Sequence, residues 1–304
     1  MRYSLASRFQ GGWLGSVLGE GLIEEKGRWR WRCYPETLWT MRGMYGGDRA
    51  MAEMFSARTQ VRMTQSAIAV LVLPLILLHY DDPEELQSRL VEAIAPDFAP
   101  EIPRRAGAST PEWVADVWVW SHALALVLLD TLAPDLFLTQ LYDRTRDLPT
   151  PLVSAIAALP QMLHEPRRAR MLQSPSSLPL NADQQTLAWA LLSFAMTPES
   201  WSVAMRRSRA IAKTAALPWL PALVGAISGC YNGVSGLPFR QLRCLPESIK
   251  EEICQESQQL LTIWSGSLLS QPRTAVVGAI APGGKLQKRR SRPVISQKTR
   301  SRTT

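Results

Sequence analysis

Apolar positions along the chain fall in helical blocks. Alternating Val/Ile/Thr runs between turn dipeptides are almost absent, whereas helix-start punctuation recurs. Asp82-Pro83-Glu84-Glu85 supplies an N-cap, a proline at the first helical position and an acidic first turn, which predicts a helix to about Ile94. Thr110-Pro111-Glu112 predicts a second, running through an apolar stretch to about Asp130. Asn181 with Gln184 three residues on predicts a capping box and a helix through Met196. Thr197-Pro198-Glu199 starts another, through Ala212, and Pro246-Glu247 starts the last long one, to Trp264. The fold class read from these signals is all-α, with ten or more helices and short proline-containing joints. No linker-like shift occurs before about Gly266, so residues 1–270 read as one compact multi-helix domain and residues 271–304 as a tail.

Two segments share a period of four. Gly11, Gly15 and Gly19 recur at that spacing, and so do Gly225, Gly229 and Gly233. Each interior glycine costs a helix ~1 kcal/mol relative to alanine. A four-residue period aligns the glycines on one helix face, where missing side chains let a neighbouring backbone approach. A phosphate-cradling loop would need a strand before it and a βαβ setting, and neither is visible. Close helix packing is therefore the expectation.

Composition excludes several classes. Hydrophobic residues at 46% and charged residues at 20% rule out wholesale disorder, collagen-like repeats and a coiled coil. The four cysteines include no C-x-x-C pair and lie far from His79, His122 and His164, which argues against a zinc site and fits a reducing cytoplasm. The formal charge of +8 has a single source. Residues 285–304 hold eight basic residues and no acid, and without them 26 basic residues face 26 acidic ones. This is a neutral domain with a basic appendage, expected to be disordered because it has few apolar side chains. Within it Lys288, Arg289, Arg290 and Arg292 are the candidate nucleic-acid contacts, through phosphate binding and counterion release.

No secretory signal is visible at the N-terminus, which lacks a long apolar stretch. The apolar core of residues 63–78 is too short for a span, and residues 214–239 carry three prolines and four glycines. A chain without a membrane span is expected.

Other chemical candidates have plain readings. Asp81-Asp82, the only adjacent aspartate pair, precedes Pro83 and reads as a helix cap. Glu20, Glu24 and Glu25 follow the first glycine segment, and Asp48 sits in a Met-Tyr-Gly-Gly-Asp turn; Glu20 and Asp48 are the weak catalytic candidates. The three histidines lie in apolar helical surroundings and read as packing residues. No Gly-x-Ser-x-Gly elbow is present, and Cys230 reads as a buried, inert thiol. Residues 27–32, GRWRWR, alternate basic and aromatic side chains, which suits a half-buried hairpin or loop and also stacking on single-stranded nucleic acid. Met41, Met44, Met51 and Met54 read as a core stripe.

Together the segments FQGGWLGSVLGEGL, QSAIAVLVLPLILLHYDDPEEL and GAISGCYNGVSGLP resemble the ADP-ribosylglycohydrolase family. The likeness extends over most of residues 8–265 and is strongest in 9–23 and 184–240. It implies an all-α fold with two magnesium ions that position water for cleaving an ADP-ribosyl N- or O-glycosidic bond. The family's ligand blocks, Thr-Asp-Asp-Thr and Asp-x-Asp-Thr, are not present. Thr214-Ala215-Ala216-Leu217-Pro218-Trp219 stands ahead of the second glycine segment, and Gly19-Glu20-Gly21 has glutamate where the family has aspartate. Apolar side chains cannot replace hard oxygen ligands. No metal or cofactor is therefore assigned. The expected function is a non-catalytic binding or regulatory relative, holding a nucleotide-like ligand or a protein partner. A working hydrolase of ADP-ribosyl or related glycosidic bonds is one alternative, and a tail-driven binder of nucleic acid or another acidic partner is the other.

Overall fold

Two helices with glycine-lined faces are pressed together at the centre of the molecule. The computed structural model describes residues 3–21, 23–25, 28–30, 64–98, 112–129, 131–164 and 180–266. Helix α1 (Leu5–Glu20) leads into a short antiparallel ribbon, β1 (Ile23–Glu25) with β2 (Arg28–Arg30), in which Glu24 pairs with Trp29. Then follow α2 (Gln65–Leu71), α3 (Leu73–His79), α4 (Pro83–Phe98) and α5 (Glu112–Leu128). A 3₁₀ turn (Pro134–Leu136) precedes α6 (Phe137–Thr145) and α7 (Pro151–His164). The C-terminal half holds α8 (Ala182–Ala195), α9 (Trp201–Ala215), α10 (Leu220–Asn232), α11 (Phe239–Cys244) and α12 (Glu247–Trp264). The fold is all-α apart from the ribbon. Tail residues 271–304, Asp48 and the Met41–Met54 stripe lie outside the described residues.

The central helix is α10. It packs against α1, α2, α5, α8 and α9, and twelve of its thirteen residues are buried. A helix apolar on every side belongs inside a core. Its neighbour α1 lies antiparallel, and the two glycine faces meet. A β-carbon on Gly15 would land on the Gly225 carbonyl, and one on Gly225 would land on the Gly15 carbonyl. Gly11 and Gly229 oppose each other in the same way, while Gly19 faces the Pro221 carbonyl. The glycine cost is offset by backbone-to-backbone contact, which no other residue type permits. Gly233 departs from the expected interior position. It is the C-cap of α10 at φ 61°, a left-handed conformation that glycine adopts without strain.

Local signals account for most helix ends. Asn181 and Gln184 form the expected reciprocal capping box on α8. Asp82 Oδ1 accepts from the Glu85 N–H at 3.1 Å, capping α4. Three ends differ from expectation. The apolar run after Thr64 breaks at Val72, because Pro74 lacks the N–H that a continuous helix would require. Helix α4 continues to Phe98, past Ile94. Helix α9 begins at Trp201, since Thr197 to Ser200 form a turn closed by the Ser200 N–H on the Thr197 carbonyl at 3.2 Å. Its other end is a Schellman-type stop with Ala216 at φ 54°, where glycine is usual.

Around the helix pair the core is continuous. Phe9 meets Tyr80 edge-on, Tyr80 stacks on Trp264 at 5.8 Å, and Trp264 Nε1 donates to Asp81 Oδ1 at 3.1 Å. These contacts tie the end of α12 to the turn between α3 and α4. Among the described residues no helix is long and apolar enough to cross a membrane.

Candidate functional site

The resemblance implies one ligand block just ahead of α10 and another in the N-terminal third, near residues 39–55, which lie outside the described residues; the end of α1 and the start of α10 are the described parts of that region. The antiparallel register brings those two points together, with Gly19 against Pro221 and Ala222. Arg209 from α9 donates to the Leu18 carbonyl at 2.8 Å and satisfies the C-terminal end of α1. The segment leading into α10 contributes Ala215, Ala216, Leu217 and Pro218, with Leu217 buried. Glu20 ends α1 and is half-buried, so the junction retains a carboxylate from the helix but none from the incoming segment. Asp48, its suggested companion, lies outside the described residues. Between the glycine faces themselves there is no room for a ligand, since backbone meets backbone.

Two magnesium ions would need more than the single carboxylate, from Glu20, that the described residues bring to this junction. Each would need several oxygen ligands in near-octahedral array, usually including carboxylates. Among the described residues no group of three or more His, Cys, Asp or Glu side chains is placed to hold a metal ion.

The remaining candidates from the sequence occupy structural positions. Asp81 and Asp82 are separated in role, one holding Trp264 and the other capping α4. His79 closes α3, and burial lowers the pKa of half-buried His122, with Arg144 adding to the effect. Cys230 is fully buried beside the glycine face, and burial pushes its thiol up to about 12. Such a thiol is not a nucleophile at neutral pH. Of the hairpin and the loop, the hairpin is observed: Arg28–Arg30 pairs antiparallel with Ile23–Glu25.

The structure brings together a polar cluster that the sequence reading did not single out. Asp116, 0% exposed, lies on α5 and accepts hydrogen bonds from the Thr150 hydroxyl and from Gln184 Nε2, the latter at 3.2 Å. Gln184 uses every polar atom of its amide. Its Oε1 completes the capping box on the Asn181 N–H at 3.2 Å, and Nε2 also donates to Glu112 at 2.6 Å. Beside it on α8, Asp183 accepts from the Gln65 and Ser66 N–H groups, each at 3.2 Å, and from the Ser66 hydroxyl. One carboxylate thereby satisfies the first donors of α2, while Thr64 caps the Ala67 N–H. Asp116 is the only acid in the apolar run after Glu112, and that was the available signal.

Burial raises the Asp116 pKa from 3.8 to about 6, opposed by the two hydrogen bonds and aided by Glu112 and Asp183. The folded state therefore holds this proton more tightly than the unfolded chain. Its contribution to stability is complete below pH 3.8 and is lost as pH rises through about 6. In paired denaturant titrations, Asp116→Asn should remove this fall, amounting to ~2–3 kcal/mol between the two limits. A wild-type minus variant difference that is flat from about pH 4 to about pH 7 would contradict the assignment.

Comparison with known proteins settles no family. The chain matches no family model and no curated protein sequence.

Proposed function

We propose that the chain is a non-catalytic relative of the ADP-ribosylglycohydrolases, holding a nucleotide-like ligand or a protein partner without dinuclear magnesium chemistry. The reading rests on the residues quoted for the resemblance. One observation carries its chemical half. The end of α1 and the start of α10 are pressed together by their glycine faces, yet residues 215–218 bring only alanine, leucine and proline to that junction. A hydrolase of this type needs carboxylates there to bind metal and orient water. Residues 215–218, ahead of α10, supply no side-chain oxygen ligand.

ADP-ribose is the probe that tests this reading. In calorimetric titrations its affinity should be the same in magnesium and in a chelator. Incubation with an ADP-ribosylated protein should release no ADP-ribose. Release that a chelator abolishes would establish the hydrolase alternative and overturn the proposal.

A further inference from the structure

We propose that the outward face of α9 is a docking surface for the phosphate backbone of single-stranded nucleic acid, contacted by Arg206, Arg209 and Lys213. From Ser200 to Pro246 the chain has six basic residues and no Asp or Glu over 47 residues, although the chain without its tail is neutral. Spacings of three and four residues place the three cations on one face of α9, spread over ~10 Å of helix. All three are exposed, with Ser202, Ala210 and Thr214 around them, while Trp201, Ala204, Met205 and Ser208 point into the core.

The fourth basic residue of α9 shows what a structural arginine looks like here. Arg207 is half-buried and its Nη1 donates to the Ser193 carbonyl at 3.0 Å and the Thr197 hydroxyl at 3.2 Å, closing the end of α8. Arg206 and Lys213 make no such bond, and none of the three exposed cations forms an ion pair among the described residues. Arg209 is held in place by its bond to the Leu18 carbonyl while staying exposed.

The chemistry of the face selects the occupant. A membrane surface would require large apolar side chains to insert, and a stable protein interface would require an apolar or aromatic centre; this face has neither. A row of cations set among small polar residues suits phosphates, with counterion release as the driving force. Phe239 follows the end of α10 that meets the start of α9, whereas Arg209, bonded to the Leu18 carbonyl beside the start of α10, lies toward the other end. Asn232 Nδ2 donates to the Pro198 carbonyl at 2.8 Å, and seven residues beyond Asn232 the chain enters α11. There Phe239 is 71% exposed, flanked by Arg240, with the Arg243 guanidinium 5.8 Å from its ring centre. Exposed aromatic and arginine side chains are the usual partners of an unstacked base.

The test uses the full chain with Lys288, Arg289, Arg290 and Arg292 all changed to Ser, so that the tail does not mask the domain. Fluorescence anisotropy with a labelled oligodeoxythymidine should report a Kd of ~1–100 μM at about 50 mM salt, weakening steeply as salt rises. Arg206→Glu with Lys213→Glu should weaken binding by at least about tenfold, and neutralising all three cations should reduce the slope of log K against log salt by about 2. Arg144→Gln, at an exposed position of α6, should change nothing, and thermal midpoints should be the same for wild type and the Arg206/Lys213 variant. Unchanged affinity and salt slope in that variant would overturn the proposal. So would α9-dependent binding to phosphatidylserine vesicles with no affinity for the oligonucleotide.

Discussion

Gly229→Ala should destabilise the protein by ~3–5 kcal/mol, although helix propensity alone predicts a gain of ~1 kcal/mol. The added methyl would sit on the Gly11 carbonyl oxygen, 2.6 Å from the Gly11 carbonyl carbon and 3.2 Å from the Gly12 nitrogen. Those are backbone atoms of a buried helix and cannot rotate away, so α1 and α10 must separate along their whole contact. Separation also costs dispersion contact for Phe9, Trp13 and Ile227, which pack in the same core. A fall of roughly 10 °C in thermal midpoint is expected for a domain of this size. Gly229→Leu should be worse still. Gly21→Ala is the internal control, because nothing lies within 4 Å of the new carbon and only its φ of 77° opposes the change. That strain is worth ~1–2 kcal/mol. Equal loss at Gly21 and Gly229 would show that packing between the two glycine faces is not what sets the cost.

Arg8→Met should cost ~3 kcal/mol for a different reason. Arg8 is 6% exposed and spans the end of two helices. Its Nε donates to the Cys230 carbonyl at 3.0 Å, Nη1 donates to the Leu128 carbonyl at 3.2 Å, and Nη2 donates to the Val127 carbonyl. The last turn of α5 ends in the core, with Val127 and Leu128 buried, and a cation there also answers the helix dipole. Methionine fills the volume but leaves those acceptors without this donor. Arg8→Lys should recover only part of the loss, because an ammonium cannot present the planar fork that reaches two helices at once. Full recovery by lysine in chemical denaturation would mean that charge matters here and geometry does not.

What could be read from the chain is what depends on neighbours in sequence. The Asn181–Gln184 box and the Asp82 cap were legible because both partners lie within one helical turn. The glycine periods were legible as close-packing faces, since only contact with backbone offsets their cost. That Gly11 and Gly15 face Gly229 and Gly225 was not, because a smooth face does not name its partner. Gly233 was counted with the interior glycines, yet Asn232-Gly233 is also a helix-stop pair, and in the folded chain the stop wins. Arg8 carries no local sequence signal. Its role depends on the carbonyls of Val127 and Leu128, which lie some 120 residues away. For the candidate site, the lack of carboxylates ahead of α10 was plain in Thr214-Ala215-Ala216-Leu217-Pro218. The meeting of that segment with the end of α1 required the fold. The Asp116 cluster had its signal in one acid amid an apolar helix, but its partners Thr150 and Gln184 come from distant parts of the chain.

We propose that the paired-glycine helices α1 and α10 support no dinuclear magnesium site. Isothermal titration of the full chain with magnesium chloride, repeated with manganese chloride, tests it most directly. The account predicts no stoichiometric binding of either ion and no rise in thermal midpoint when they are added. Saturable binding of two ions per chain, with a matching gain in stability, would contradict it.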